Sequence, residues 1–407
     1  MLVRYFDNAA TSFPKPPGVA EAMLRFMTEN GAPGRGTYAQ AREAAGLIRR
    51  CRERINRLIN GENADHVVFT HNTTDALNLA IKGVLEGTLR RSPRRGLHVV
   101  TTWMEHNSVL RPLNALIAAH PGIAWTRVEA DPVTGIVDPD DVRRAVRPGE
   151  TTLVAVNHAS NVTGSIQPVA EIGTHCRAIG VPFLVDAAQS MGHVGVDVRA
   201  MNIDLLAFPG HKGLLGPTGT GGLYIRPGLE RLVSTVREGG TGSVSESETH
   251  PEMMPERYEA GSHNTVGIAG LSEGVAWLLD RGTDSLRRHE VELMERLLSA
   301  YSGGAFDGLR LLGPSGVQER VGVFSFTHNE LSPQEIAAVL ETGFSVLTRA
   351  GLHCAPLAHR TFGTVAPEGK GAVRLSLGPF LTTEDIDAAT DALATICREQ
   401  RAVSARG

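Results

Sequence analysis

A short apolar run that ends in a turn with a single lysine is the feature that most constrains the fold of this chain. Residues 204–208 predict a buried strand, and the turn that follows presents His211 and Lys212. A second predicted strand, residues 181–185, ends at Asp186. Because ligands gather at the carboxyl ends of strands in open α/β sheets, we expect Asp186 and Lys212 to face one pocket. The pattern therefore predicts an α/β fold.

An acid and an amine at neighbouring strand ends suit the cofactor pyridoxal 5'-phosphate (PLP). The lysine would form a Schiff base, and the acid would keep the pyridine nitrogen protonated so that the ring accepts electrons. The alternative is that Lys212 is a solvated loop lysine, which is the usual meaning of an isolated His-Lys pair. Asp186 favours the cofactor, and so does a candidate phosphate site at Thr73 and Thr74, where hydroxyl and backbone N–H groups open a helix. A threonine at such a position is otherwise only a helix cap.

Eight stretches carry motifs along nearly the whole chain. They are FDNAATSFPKP (6–16), HNTTDALNLAI (71–81), MEHNSVLRPL (104–113), NHASNVTGSIQPV (157–169), VDAAQSMGHVGVDV (185–198), GHKGLLGPTGTGGLYI (210–225), RYEAGSHNT (257–265) and RAGLHCAP (349–356). Through them the chain resembles the class V aminotransferase-fold enzymes and, within these, the SUF-type cysteine desulfurases, to which selenocysteine lyases are related. The resemblance implies a fold-type I PLP-dependent transferase. Its large PLP-binding domain (17–265) would hold a mainly parallel seven-stranded sheet, and residues 1–16 and 266–407 would form a smaller α+β domain.

The resemblance also implies which residues hold the cofactor. The phosphate would contact Thr73, Thr74 and His211. Asp186 would face the pyridine nitrogen, since a buried carboxylate is costly unless it meets a cation. His106 would stack on the pyridine ring and would also move protons near neutral pH.

Three further residues complete the implied cofactor site. Asn161 and Gln189 would donate hydrogen bonds to the phenolic oxygen of PLP without adding charge. Ser262 lies in the polar stretch 239–265, which in the family crosses to the neighbouring subunit and touches its phosphate. The resemblance thus implies a homodimer with shared active sites. The chain departs from the family at Pro209, where many relatives carry a serine that binds the phosphate. A hydroxyl and a backbone N–H are missing there, which puts cofactor affinity in doubt.

The stretch 349–356 separates desulfurases from ordinary class V aminotransferases. It places Cys354 in a loop bounded by glycine and proline, next to His353 and near Arg349, where positive neighbours favour a thiolate. That thiolate would take sulfur from a cysteine–cofactor adduct, and the short loop implies slow turnover without a sulfur-acceptor protein. The other cysteines are expected to be inert: Cys51, Cys176 and Cys397.

Substrate-binding residues are implied in two places. Arg374 would end a strand of the small domain and grip the substrate α-carboxylate bidentately, with a surface ion pair as the alternative. Ala10, with Thr11, lies in an N-terminal arm that lines the substrate entrance in the family. Asn161 would contact the substrate as well as the cofactor.

Composition limits the partners of the chain. Its 44 acidic and 40 basic residues nearly balance, so no basic field suggests nucleic acid. No apolar run is long enough to span a membrane, and the N-terminus has no signal-peptide core, so we expect no membrane partner and a cytoplasmic protein. The four cysteines form no CxxC pair, which predicts neither a metal site nor a disulfide framework.

These observations predict a PLP-dependent cysteine desulfurase that converts L-cysteine to L-alanine and leaves the sulfur as a persulfide on Cys354. Lys212 would move the α-proton, with help from His106. Three alternatives stay open: a selenocysteine lyase, another class V reaction such as transamination or direct C–S cleavage, and a non-enzymatic, PLP-stabilised sulfur-relay scaffold. The fold alone does not decide among them, because it hosts many reactions.

Overall fold

The computed structural model describes residues 3–33, 36–92, 96–365 and 371–404. The helices in these ranges are α1 (Pro17–Glu29), α2 (Ala39–Leu58), α3 (Thr73–Arg91), α4 (Asn107–Ala119), α5 (Pro139–Ala145), α6 (Val169–Ile179), α7 (Thr265–Arg281), α8 (Thr283–Ser302), α9 (Pro333–Phe344), α10 (Pro356–Thr361) and α11 (Thr383–Ser404). The strands are β1 (Arg4–Tyr5), β2 (Val67–Thr70), β3 (Leu97–Thr102), β4 (Ile123–Val128), β5 (Thr151–Asn157), β6 (Phe183–Asp186), β7 (Leu205–Pro209), β8 (Gly221–Ile225), β9 (Leu309–Leu312), β10 (Val323–His328), β11 (Val346–Leu347), β12 (Arg349–Gly351) and β13 (Ala372–Ser376). Across these ranges no helix has the length and apolar character needed to cross a membrane.

The largest sheet has seven strands in the order β2, β8, β7, β6, β5, β3, β4. Strand β8 runs antiparallel to both of its neighbours, and every other pair is parallel. Helices cover both faces, so the central strands are apolar along their whole length, as parallel strands usually are. The predicted α/β fold with a mainly parallel seven-stranded sheet is confirmed.

Strand β5 shows how the two faces of this sheet are filled. Val154 and Val156 point into one core, which α2, α6 and α7 cover. Leu153 and Ala155 point into the other core, which α3 and α4 cover. Because side chains alternate along a strand, one strand serves both cores while its carboxyl end stays free for polar residues.

A third core belongs to an antiparallel sheet of four strands in the order β12, β13, β10, β9. Helices α8, α9 and α11 pack on it, and Phe6 of the N-terminal arm lies in the same cluster. Strand β1 of that arm pairs with β11. Helix α7, which we assigned to the small domain, packs its Ile268 and Leu271 in the large core instead. The exact domain boundaries stay a prediction.

Candidate active site

The carboxyl ends of three neighbouring parallel strands build the candidate site. In the sheet register Asn157 of β5 lies beside Asp186 of β6, and Asp186 lies beside Ala207 of β7. Lys212 follows β7 by three residues. These ends open into a cavity of about 520 Å³. The predicted residues that line it are Thr73, Thr74, His106, Asn161, Asp186, Gln189, His211 and Lys212.

The two central ionisable groups of this cavity shift each other's proton affinity. Burial lowers the pKa of Lys212 to about 8, against the pull of the Asp186 carboxylate. Burial raises the pKa of Asp186 to about 6, although it accepts a hydrogen bond from the Ala188 N–H at 2.9 Å. A cation beside Asp186 would stabilise the ionised form of this carboxyl group. The protonated pyridine nitrogen of PLP would be such a cation. The pair therefore fits the two ends of a PLP ring system.

The start of α3 supplies the anion-binding end of the cavity. The N-cap is Asn72, whose side chain accepts from the Asp75 N–H, so the alternative that Thr73 or Thr74 serves only as the helix cap does not hold. Thr73 and Thr74 are the first two helical residues, and backbone N–H groups at such positions have no partner within the helix. The Nδ1 atom of His211 is buried, and no described residue bonds to it. These groups fit a phosphate.

His106 caps the next helix and does so as a neutral ring. Its Nδ1 accepts from the Ser108 N–H at 3.1 Å, which places the proton of the neutral ring on Nε2. Burial lowers the pKa of His106 to about 4, with Lys212 and Arg349 adding to the effect. His106 is therefore neutral at neutral pH, and both of its expected roles, stacking on the ring and movement of protons, stay predictions.

The two predicted amide donors each hold a backbone carbonyl at the edge of the cavity. Asn161 Nδ2 donates to His353 O at 2.6 Å, and Gln189 Nε2 donates to Ala9 O at 2.9 Å. An amide nitrogen carries two hydrogens, so each still has one for a ligand. Both residues thereby connect the cavity to segments distant in the sequence.

Hydrogen bonds from the N-terminal arm hold the turn that carries Lys212. The carbonyl of His211 accepts from Thr11 Oγ1, from the Ser12 N–H and hydroxyl, and from Lys15 Nζ at 2.9 Å. On the other side, a Cβ at Gly213 would lie 2.0 Å from Met191 O, so only glycine fits there. The role of Lys15 in holding this turn was not predicted from the sequence. Its position within the stretch 6–16, which carries the family resemblance, was the available signal.

Pro209 ends β7 where its missing N–H does no harm. Strand β6 stops at Asp186, opposite Ala207, so no parallel partner remains beside Pro209. On the other side Pro209 pairs with Gly221 of β8. Proline is tolerated at such a strand end. The substitution therefore keeps the strand intact and removes only a potential phosphate contact.

Glu105 is a buried acid next to the cavity that sequence reasoning missed. It accepts from Thr102 Oγ1 at 2.7 Å and from the Asn157 N–H at 3.1 Å, while its Oε2 has no partner among the described residues. Burial raises its pKa to about 8, and Asp186 adds to the shift. Glu105 is therefore a neutral carboxylic acid behind the site at neutral pH. Its place beside His106 in the motif 104–113 was the available signal.

Cys354 lies on the surface, on a turn between β12 and α10. It is the exposed cysteine, whereas burial raises the pKa of Cys51 and Cys176 to about 12. The Cys354 carbonyl accepts a hydrogen bond from the N–H of Asn107 at 2.8 Å. Asn107 directly follows His106, so this bond holds the turn close to the start of α4. Cys354 thus lies in the expected loop between Gly351 and Pro356, and the residues just before that loop form strand β12, which pairs with β13.

The charge expected from His353 is absent. His353 is buried, stacks on His359 with ring centroids 5.6 Å apart, and burial lowers its pKa to about 2. His359 in turn bonds Thr364 Oγ1 at 2.7 Å. His353 therefore supports the Cys354 turn as a neutral packing residue, and the prediction that it supplies positive charge was wrong.

Ser262 lies outside this cavity. It is exposed and lines a second cavity with Arg237 and His263. Glu259, three residues earlier, fixes the segment to the sheet edge by a bidentate pair with Arg52 and a bond from the Phe69 N–H at 2.7 Å. Ser262 thus does not reach the Lys212 cavity of its own chain.

Arg374 lies in the middle of β13 and not at its end. It is almost fully buried, and its guanidinium donates to Asp7 Oδ1 at 2.7 Å and to Asn161 O at 3.0 Å. It does not line the cavity directly, and the surface ion pair that we considered is ruled out by its burial. Ala10 is half-buried and is also not among the residues that line the cavity; its N–H is bonded to Asp7 O.

Comparison with known proteins shows the family. Residues 4–389 match the family described as aminotransferase class V. A probable cysteine desulfurase of Methanothermobacter thermautotrophicus is 37% identical over 386 residues, covering 94% of this chain and 92% of the relative. A probable cysteine desulfurase of Pyrococcus abyssi is 35% identical over 396 residues, covering 95% and 92%.

Solved structures give the same result. The apo structure of a cysteine desulfurase from Thermococcus onnurineus NA1 superposes with a TM-score of 0.88 at 32% identity, over 98% of this chain and 95% of that one. The cysteine desulfurase CsdA from Escherichia coli gives 0.82 at 26% identity, over 96% and 94%.

The fold and the Lys212–Asp186 cavity thus define a class of PLP-dependent enzymes built on a doubly covered parallel sheet. Within that class, the chain belongs to the class V aminotransferase family.

Proposed function

We propose that this protein is a PLP-dependent cysteine desulfurase that converts L-cysteine to L-alanine and passes the sulfur through Cys354. The observation that carries the proposal is the combination of Lys212 and Asp186 in one cavity with an exposed cysteine held beside His106. An ordinary aminotransferase needs the first part and has no use for the second. The names of the relatives described above support the same function.

The residues of the cavity have separate tasks in this proposal. Bound PLP would supply an electron sink for the α-carbon of an amino acid. Lys212 would take the α-proton on Nζ, since a pKa of about 8 leaves part of it unprotonated at neutral pH. Asp186 would keep a cation at the pyridine nitrogen. Arg374, Asn161 and the arm near Ala10 would orient the substrate, and Gln189 would bind the cofactor.

Cys354 would carry out the sulfur transfer. Its sulfur would attack the substrate Sγ, forming an S–S bond as the Cβ–Sγ bond breaks. The bonding electron pair stays with the substrate carbon, and a proton added there gives the methyl group of alanine. The resulting persulfide sits on an exposed turn, open to a sulfur-acceptor protein as the SUF-type resemblance implies.

We propose in addition that two copies of the chain share their active sites. Ser262 lies outside the cavity of its own chain, while Glu259 holds its segment firmly, as a residue that serves a neighbouring copy requires. Coexpression of Lys212→Ala and Ser262→Ala chains tests this, because a mixed dimer would regain one intact site. No gain over the two single variants would contradict sharing.

The test of the function is release of alanine and sulfide from L-cysteine in the presence of a reductant. We expect the wild type and the control Cys397→Ala to release both products, and Cys354→Ala to lose sulfide release while its cofactor absorbance stays intact. Equal release by Cys354→Ala would contradict the persulfide and indicate direct C–S cleavage. Activity with L-selenocysteine alone would assign a selenocysteine lyase.

A further inference from the structure

The guanidinium of Arg374 is held by two fixed acceptors from different parts of the chain. One terminal nitrogen donates to Asp7 Oδ1 at 2.7 Å and the other to Asn161 O at 3.0 Å. The Nε atom is buried without a partner in the described part of the chain. Arginine has five N–H donors, so three remain for a ligand. The orientation of those three depends on the two bonds already made.

Asp7 is itself fixed independently of this ion pair. Its neighbours lie along β13, where the Ser376 N–H donates to Phe6 O at 2.7 Å and the Ala9 N–H donates to Ser376 Oγ at 2.9 Å. The Asp7 side chain is 22% exposed and that of Arg374 is 1% exposed. The N-terminal arm therefore places the partly exposed Asp7 carboxylate against the buried guanidinium of Arg374. Among the described residues, Arg374 has no other acidic partner.

The surroundings of Arg374 make this carboxylate necessary. Arg349 of β12 lies directly across the strands from Arg374, and like charges in such a pair repel each other. A buried guanidinium without a counter-ion is also strongly disfavoured. Asp7 offsets one of the two positive charges, which leaves one for the carboxylate of a substrate.

Arg374 also connects the arm to the sulfur-transfer turn. Asn161, which accepts from Arg374 through its carbonyl, donates its amide to His353 O at 2.6 Å. His353 precedes Cys354, whose own carbonyl is bound by Asn107. A rotation of the guanidinium would thus disturb both the substrate carboxylate site and the turn.

We propose that Asp7 is a positioning residue that orients Arg374 to receive the α-carboxylate of the amino-acid substrate. The proposal rests on the proposed function only in that the substrate is an amino acid. Asp7 acts through Arg374 and does not touch the substrate itself. The competing possibility is that Asp7 occupies Arg374 and must be displaced by the substrate carboxylate.

The test compares two ligands that differ only in the carboxylate: L-alanine and ethylamine. Each is titrated into the holoenzyme while the cofactor absorbance is followed. We expect Asp7→Asn to raise the Kd of L-alanine about tenfold or more and to leave that of ethylamine unchanged. Asp7→Glu keeps the charge and should recover part of the affinity. Ser376→Ala loosens the segment that carries Asp7 without removing its carboxylate, and should raise the Kd of L-alanine less than Asp7→Asn does.

Two results would overturn the proposal. Unchanged or tighter binding of L-alanine by Asp7→Asn would show that Asp7 does not position Arg374, and tighter binding would identify it as a competitor. An equal loss for both ligands would show a general structural role. If Asp7→Asn does not fold, Asp7→Glu must weaken L-alanine alone for the proposal to stand. These titrations involve no sulfur, so they decide the role of Asp7 even if L-cysteine is not desulfurated.

Discussion

The cavity around Lys212 and the turn that carries Cys354 are built in opposite ways. The cavity residues stand at the ends of parallel strands, where Asp186 and Gln189 are nearly inaccessible. Cys354 is exposed between a strand of three residues and a helix of six, with positive φ at both His353 and Cys354. Proton and electron transfer need fixed groups in a water-poor site, whereas sulfur has to leave the protein. The difference between the regions follows from these two tasks.

The two regions nevertheless meet at one helix terminus. His106 lines the cavity and caps α4, and the next residue, Asn107, binds the Cys354 carbonyl. The chemistry is thus split between a rigid interior and a surface turn that is anchored to it through backbone atoms. Variants on either side should show how far the two regions are independent.

The largest effect is expected for Lys212→Ala. Loss of the amine should lower kcat/KM for L-cysteine about a thousandfold or more, since Lys212 both binds the cofactor and moves the α-proton. The rate of iodoacetamide alkylation of Cys354 should stay at the wild-type value, because backbone bonds outside the cavity hold the turn. A changed alkylation rate would show that the two regions are coupled through the lysine.

Glu105→Gln tests the buried acid by the pH dependence of stability. The folded pKa of about 8 exceeds the ordinary value of 4.5, so the wild type should lose stability as the pH rises from about 5 to about 8. The variant should lose a few kcal/mol less over that range. The measurement is denaturant unfolding of the apoprotein at several pH values.

Glu290→Gln is the matched control for that experiment. Glu290 is also buried, but His193, Arg287 and the Gly322 N–H outweigh desolvation and lower its pKa. Its contribution to stability should therefore be present at neutral pH and lost as the pH falls below the ordinary glutamate range. Parallel pH profiles for the two variants would contradict a neutral Glu105.

Thr364→Val probes the support of the sulfur-transfer turn. It removes the hydroxyl that bonds His359 Nδ1 and leaves a buried ring nitrogen without that partner, which costs about 1–3 kcal/mol. We expect faster alkylation of Cys354 and unchanged cofactor absorbance. Thr361→Val is the control: Thr361 ends helix α10, which carries His359, and its hydroxyl bonds only Leu357 O, so this variant should alkylate as the wild type does. Equal alkylation rates in the two variants would show that His359 does not support the Cys354 turn.

The smallest effect is expected for Pro209→Ser. The new hydroxyl should lower the Kd of PLP a few-fold by adding one hydrogen bond to the phosphate. Pro209→Ala, which regains the backbone N–H without the hydroxyl, separates the two contributions. If both variants bind PLP as the wild type does, the phosphate does not reach this end of β7.

The central strands and their functional ends could be predicted from sequence because both signals are local. The run before Lys212 and the run before Asp186 are apolar and are followed at once by the polar residues that matter. The partner of Arg374 could not be predicted, since Asp7 stands 367 residues away in the chain. The neutrality of His353 was equally hidden, because it follows from burial against His359. Strand β12 was missed because three residues that include a glycine gain strand character only by pairing with β13.

The most direct test of the account is a single turnover with L-cysteine in the absence of reductant, followed by mass spectrometry of the Cys354 peptide. We predict one alanine released per active site and one added sulfur atom on Cys354, with none on Cys51, Cys176 or Cys397. Alanine released with no added sulfur on Cys354 would contradict the division between a cavity that breaks the C–S bond and a surface turn that receives the sulfur.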